Sequence, residues 1–164
     1  MSQTVDRFAR DTRRPFLHMP VPWVFVLAYL LGAGLQLLVP LNLGSPALSL
    51  LVRLGGVVVF AAGATLAGGG LLVFHRAETT TTPGEAPATL VTAGPYRCTR
   101  NPMYVGLVLA YLGEQGMLVE VWPLALLVLT VAYVNWFVIP VEETSLRAFG
   151  PAYDAYRARV RRWI

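Results

Sequence analysis

In a chain of 164 residues, 55% hydrophobic and only 13% charged with a formal charge of +4, the composition excludes an ordinary soluble domain and indicates a polytopic membrane helix bundle. The single cysteine, Cys98, excludes an intramolecular disulfide and a multi-thiolate zinc site, so no metal is expected. All thirteen basic residues are arginine, and membrane topology accounts for them better than nucleic acid does.

The expected fold is all-α: one domain over residues 1–164, with about four transmembrane helices and a C-terminal amphipathic cytoplasmic helix. Residues 1–19 form a polar N-terminal segment with Arg7, Arg10, Arg13 and Arg14, too long a leader for a cleavable signal, and no small-residue cleavage site clearly follows the apolar run after it. This segment either rests on the membrane through Phe8, Phe16, Leu17 and Met19 or forms a loose tail. Residues 22–74 hold the first two spans, Pro22 to Leu43 and Leu48 to Phe74, each near the ~20 residues a bilayer helix needs, joined by a turn at Asn42, Gly44, Ser45 and Pro46. The second span carries Gly55, Gly56, Gly63, Gly68, Gly69 and Gly70; in lipid, small residues let helices approach closely. A phosphate cradle does not fit, since no Lys-Ser or Lys-Thr follows.

A loop over 75–101 leads to a helical hairpin over 102–141, with spans Pro102 to Val119 and Trp122 to Val141. Pro140 should distort the last turn of its span. Residues 142–164 place Leu146, Phe149, Tyr153, Tyr156, Val160 and Trp163 at helical spacing with arginines on other faces, and Gly150-Pro151 should bend that helix. With both termini cytoplasmic in the plasma (inner) membrane, every arginine except Arg53 lies inside. Glu114 falls about 18 Å along the third span, towards the outer face, and pairing with Arg53 is its expected structural role.

The richest chemistry stands at the start of the third span, Gly94-Pro95-Tyr96-Arg97-Cys98-Thr99-Arg100-Asn101-Pro102-Met103-Tyr104-Val105-Gly106. Pro102 suits a first helical turn, whose positive end, with Arg97 and Arg100, welcomes an anion, while Tyr96 and Tyr104 offer faces to a cation. Arginine and tyrosine also anchor helices at membrane interfaces, so these residues alone leave binding and anchoring both open. A second polar group, Glu142-Glu143, comes after the hairpin and returns to the same membrane face.

This first block, with Gly113-Glu114-Gln115 and the run from Glu142 to Val160, resembles the isoprenylcysteine carboxyl methyltransferase and phospholipid methyltransferase superfamily of integral-membrane enzymes that use S-adenosylmethionine. The resemblance covers about Leu90 to Arg162 and makes 75–101 a cofactor loop. It implies a cofactor site of Gly94, Pro95, Tyr96, Arg100, Asn101, Pro102, Tyr104, Gly106, Glu142 and Glu143, joined by Tyr153 and Tyr156, with Arg100, Asn101, Glu142 and Glu143 as catalytic residues. Gly106, lacking a side chain, would let a ligand approach the helix. Many relatives carry histidine where this chain has Asn101, and asparagine cannot act as a base. Some prenylcysteine-specific members have an arginine where this chain has Val138-Ile139-Pro140-Val141, which weighs against that substrate.

The implied function is methyl transfer to a lipophilic or membrane-embedded acceptor, with membrane lipids as surroundings, no nucleic acid, and the oligomeric state open. An amine or thiol acceptor requires Glu142 or Glu143 as base; a carboxylate requires none. The alternatives are an NADPH-dependent membrane reductase of sterol-reductase type and a four-span transporter.

Overall fold

The computed structural model describes residues 20–41, 46–78 and 88–164, with 46–48 as backbone only. The expected N-terminal segment 1–19, most of the first interhelical turn and the middle of the 75–101 loop lie outside the described residues.

Six α-helices form, with no strand among the described residues: α1 (Val21–Leu38), α2 (Pro46–Arg76), α3 (Pro102–Leu118), α4 (Trp122–Tyr133), α5 (Ile139–Leu146) and α6 (Pro151–Arg159). In α1, α3, α4 and α6 a proline occupies the first turn, where its missing N–H has no intrahelical acceptor to lose. Three helical stretches are long and apolar enough to cross a membrane: Val21–Leu38, Ser49–Arg76 and Trp122–Phe149. α3, at 17 residues, is shorter.

α4 and α5 are one continuous rod interrupted by a π-helical turn at Val134–Val138. Pro140 supplies the cause: it has no N–H for the carbonyl one turn back, and its ring crowds that carbonyl, so the preceding turn widens. The expected distortion is therefore present, placed just before the two glutamates.

The tightest packing in the bundle is α2 against α3. A Cβ on Gly63 would fall 2.6 Å from the Gly106 carbonyl oxygen and into the Ala110 amide, and one on Gly113 would meet the Phe60 backbone. Glycines of both helices thus face each other, and the backbones touch where lipid offers no hydrophobic incentive to associate. α1 packs on α4 instead, with Gly32 against Pro123. Between them lies a core of Val21, Phe25, Tyr104, Tyr111, Leu127, Val134, Val138 and Ile139. Leu30, Leu31, Leu54, Val58, Val128 and Leu129 point outward, an apolar exterior suited to lipid.

Two expectations need correction. Arg53 does not pair with Glu114; its Nη1 donates to the Met117 carbonyl at 2.8 Å, satisfying an acceptor that the end of α3 leaves open. The C-terminal helix breaks at Gly150, whose φ of +56° suits glycine, as Gly150-Pro151 leads one to expect, but it does not run on to residue 164: it stops at Arg159, after which Val160 is extended.

Candidate active site

Both polar blocks meet at one end of the bundle, where α2 finishes, α3 starts and α5 leaves the π-helical turn. Gly94, at φ +58°, turns the chain under α2 with Val73 beside it, and Pro95 lies against Gly69. A short 3-10 turn, Gly94–Arg97, then drives Tyr96 inward, 4% exposed, with its ring 5.2 Å from that of Phe74.

Glu143 is the electrostatic centre. Arg162 grips it with both ends of its fork, Nε to Oε1 at 3.1 Å and Nη2 to Oε2 at 2.7 Å. Arg100 adds one contact, Nη1 to Oε1 at 3.2 Å, and the same nitrogen donates to the Tyr153 hydroxyl at 3.4 Å. Arg100 Nε is buried and has no partner. Glu142 accepts a hydrogen bond from the Tyr104 hydroxyl.

The segment after α6 is sewn onto the start of α3. The Arg100 amide donates to the Arg161 carbonyl at 2.9 Å; Thr99 Oγ1 and Asn101 Nδ2 donate to the Arg162 carbonyl at 3.0 and 2.8 Å. Asn101 is thus occupied by the tail, and its amide orients backbone. α6 contributes two buried tyrosines, Tyr153 and Tyr156, and the latter's hydroxyl donates to the Tyr96 carbonyl at 2.8 Å.

Burial raises the pKa of three phenols here. Tyr156 is pushed up to about 12. Tyr96 is raised further, by burial first and by the nearby Glu142 second. Burial and Glu143 raise Tyr153, against the opposing pull of Arg100. All three therefore remain neutral hydrogen-bond donors at physiological pH. The Tyr96 hydroxyl is buried without a partner, like Arg100 Nε.

The arrangement brings together Tyr96, Arg100, Asn101, Tyr104, Glu142, Glu143, Tyr153 and Tyr156. Pro102 is buried in the first turn of α3 and shapes that turn. Gly106 is different: a Cβ there would lie 2.5 Å from the Ala67 amide nitrogen and 2.7 Å from the Gly63 carbonyl oxygen, so its bare face serves α2 rather than a ligand. Gly94 and Pro95 likewise shape the turn through their contacts with α2.

Three residues of the cluster escape a sequence reading. Arg162 reads as one more membrane-surface arginine, and Trp163 as the last member of an apolar stripe. Asn135 had a usable signal, as a lone amide in the run from Trp122 to Val141. Its Oδ1 accepts from Trp163 Nε1 at 2.9 Å.

No curated protein and no solved structure matches the chain. A family model described as phospholipid methyltransferase matches residues 50–150, more than half of the chain, from α2 past both glutamates.

Proposed function

The chain belongs to the phospholipid methyltransferase family, and from that membership we propose that it is an S-adenosylmethionine-dependent enzyme of the inner membrane that methylates a lipophilic, membrane-embedded acceptor. The single observation that carries this reading is the convergence of two remote segments, 94–104 and 142–162, on one charged cluster at the end of an apolar bundle. Such a place meets water and lipid at once, as a soluble donor and a lipid acceptor require.

The donor set fits the cofactor. Two buried groups of the site lack partners, Arg100 Nε and the Tyr96 hydroxyl, and a buried donor left unpaired costs ~1–3 kcal/mol unless a ligand takes it. Arg100 Nε suits a carboxylate, Tyr96 and Tyr104 suit a cationic centre or an adenine, and Glu142 suits an ammonium or ribose hydroxyls. When bound, S-adenosylmethionine supplies an electrophilic methyl group on a sulfonium.

The two glutamates divide the labour. Glu143, held by two guanidiniums, fixes Arg100 and the tail. Glu142 meets only the Tyr104 hydroxyl and is the carboxylate free to accept a proton from an amine or thiol acceptor. Catalysis then rests on alignment and exclusion of water.

In the membrane we place α3 as a fourth span, hairpinned with α4, since 17 residues lie within the range of about 17–25 that a crossing needs. α6 then lies at the cytoplasmic surface with both termini inside. Arg76, Arg97, Arg100, Arg147 and Arg162 belong to the site's end of the bundle, and Arg53 to the other, as the positive-inside rule requires.

The test uses purified full-length protein in vesicles of phosphatidylethanolamine and phosphatidylglycerol with methyl-labelled S-adenosylmethionine. Label should enter the lipid extract, and Arg100→Ala should abolish transfer while the helical circular dichroism persists. Transfer to no component of the vesicles or of a total membrane extract refutes the proposal. Thermal stabilisation by NADPH but not by S-adenosylmethionine refutes it in favour of a reductase.

A further inference from the structure

We propose that Asn135 and Trp163 form a latch that keeps Arg100 open to an anionic ligand, and that both are positioning residues of the site. This inference rests on the methyltransferase reading. Its premise is a competition for Arg100. Arg162 engages both oxygens of Glu143, so Glu143 reaches Arg100 only through Nη1, and Arg100 Nε stays free. If Arg162 withdrew, the planar guanidinium of Arg100 would become the natural fork for Glu143, which would then take Nε as well as the terminal nitrogen. The donor meant for the ligand would be spent inside the protein.

Arg162 is held in place by the tail that carries it. That tail leaves α6 at Val160, where the backbone is extended, and has no helix of its own to hold it. Its backbone ties, from the Arg100 amide, Thr99 and Asn101, all lie at the rim. One side chain reaches deeper: Trp163 packs against the core cluster, and its Nε1 donates to Asn135 Oδ1 at 2.9 Å. Asn135 sits in the π-helical turn, where the widened backbone rotates the next helical residues by up to about one residue's step, ~100°. The turn forced by Pro140 therefore sets the direction of Glu142 and Glu143 and also carries the acceptor that fixes the tail against them. Pro140, Asn135, Trp163 and Arg162 act as a chain of contacts that ends on the free edge of Arg100.

Three variants test the latch in the full-length protein: Trp163→Phe, which keeps an aromatic ring but loses the N–H, Asn135→Leu, which is well tolerated by an apolar helix, and the two combined. Amide exchange read by mass spectrometry on the peptide containing Arg100 reports tail release, because that amide is bonded to Arg161. Losing one hydrogen bond worth about 1 kcal/mol should speed exchange and raise KM for S-adenosylmethionine by about five- to tenfold. The value of kcat should stay within about twofold, since ligand access is lost and alignment of the bound state is regained, and the double variant should be no worse than either single one. Wild-type exchange in both single variants, an unchanged KM with a fallen kcat, or additive effects in the double variant overturn the latch. A wild-type protein that transfers no methyl group overturns the functional reading instead, and the exchange rates alone then decide the latch.

Discussion

Adding a single methyl group at Gly63 should separate the two helices that carry the site. An alanine there would place its Cβ 2.6 Å from the Gly106 carbonyl oxygen and 2.8 Å from the Leu109 carbonyl carbon, while ordinary contact begins near 3.4 Å. Every obstacle is backbone, so α2 and α3 must part by several tenths of an ångström along the crossing. Alanine gains up to about 1 kcal/mol of helix propensity over glycine, and overpacking a fixed contact costs about 1–3 kcal/mol, so a net loss near 1–2 kcal/mol is expected. Gly55 and Gly68 of the same helix supply the comparison: nothing lies within 4 Å of a Cβ at either, so alanine there should be neutral or stabilising by up to about 1 kcal/mol. Reversible unfolding in mixed micelles, monitored by far-ultraviolet circular dichroism, measures the difference of about 2 kcal/mol expected between Gly63→Ala and Gly55→Ala. Equal midpoints for the two variants would refute the close crossing.

Individual contacts carry the other outcomes. Tyr104→Phe leaves Glu142 without its donor and should slow methyl transfer by about tenfold, read as the initial rate with labelled S-adenosylmethionine; wild-type turnover would remove the pair from the mechanism. Because burial pushes Tyr156 up to about 12, its contribution to stability should hold below the ordinary phenol value near 10 and disappear as pH rises from about 10 to 12. Unfolding midpoints across that interval should fall less steeply in Tyr156→Phe than in the wild type, and identical slopes would contradict this. A double-mutant cycle of Arg53→Gln and Glu114→Gln should give a coupling of about zero, since Arg53 caps the Met117 carbonyl; a coupling above about 0.5 kcal/mol would restore the ion pair.

Local chemistry explains which parts were legible in the sequence. Apolar runs and first-turn prolines mark the helices, Pro140 marks the distortion before the glutamates, and Gly150-Pro151 marks the break before α6. The glycines of α2 announce close packing, but not that α3 would answer with Gly106 and Gly113, because a partner is a property of two segments. For the same reason Gly106 reads equally well as ligand access or helix contact, and only the position of Ala67 decides. Arg53 and Glu114 belong to the same end of the bundle, yet the open carbonyl of Met117 lies within reach of the guanidinium, so the backbone acceptor wins. The bridge from Arg162 to Glu143 spans 19 residues through a helix break and a non-helical tail, and no periodicity encodes it.

The central claim, that residues 94–104 and 142–162 enclose one binding site for S-adenosylmethionine, is tested most directly by equilibrium binding of its product, S-adenosylhomocysteine, to the purified protein. Saturable binding to the wild type is the predicted result, weakened about tenfold or more by Arg100→Ala, which removes a charge-assisted contact worth about 1.5–3 kcal/mol, and separately by Glu143→Gln, which loosens Arg100 and the tail from the carboxylate that positions them. Undiminished affinity in both variants, with their folds intact, would contradict it.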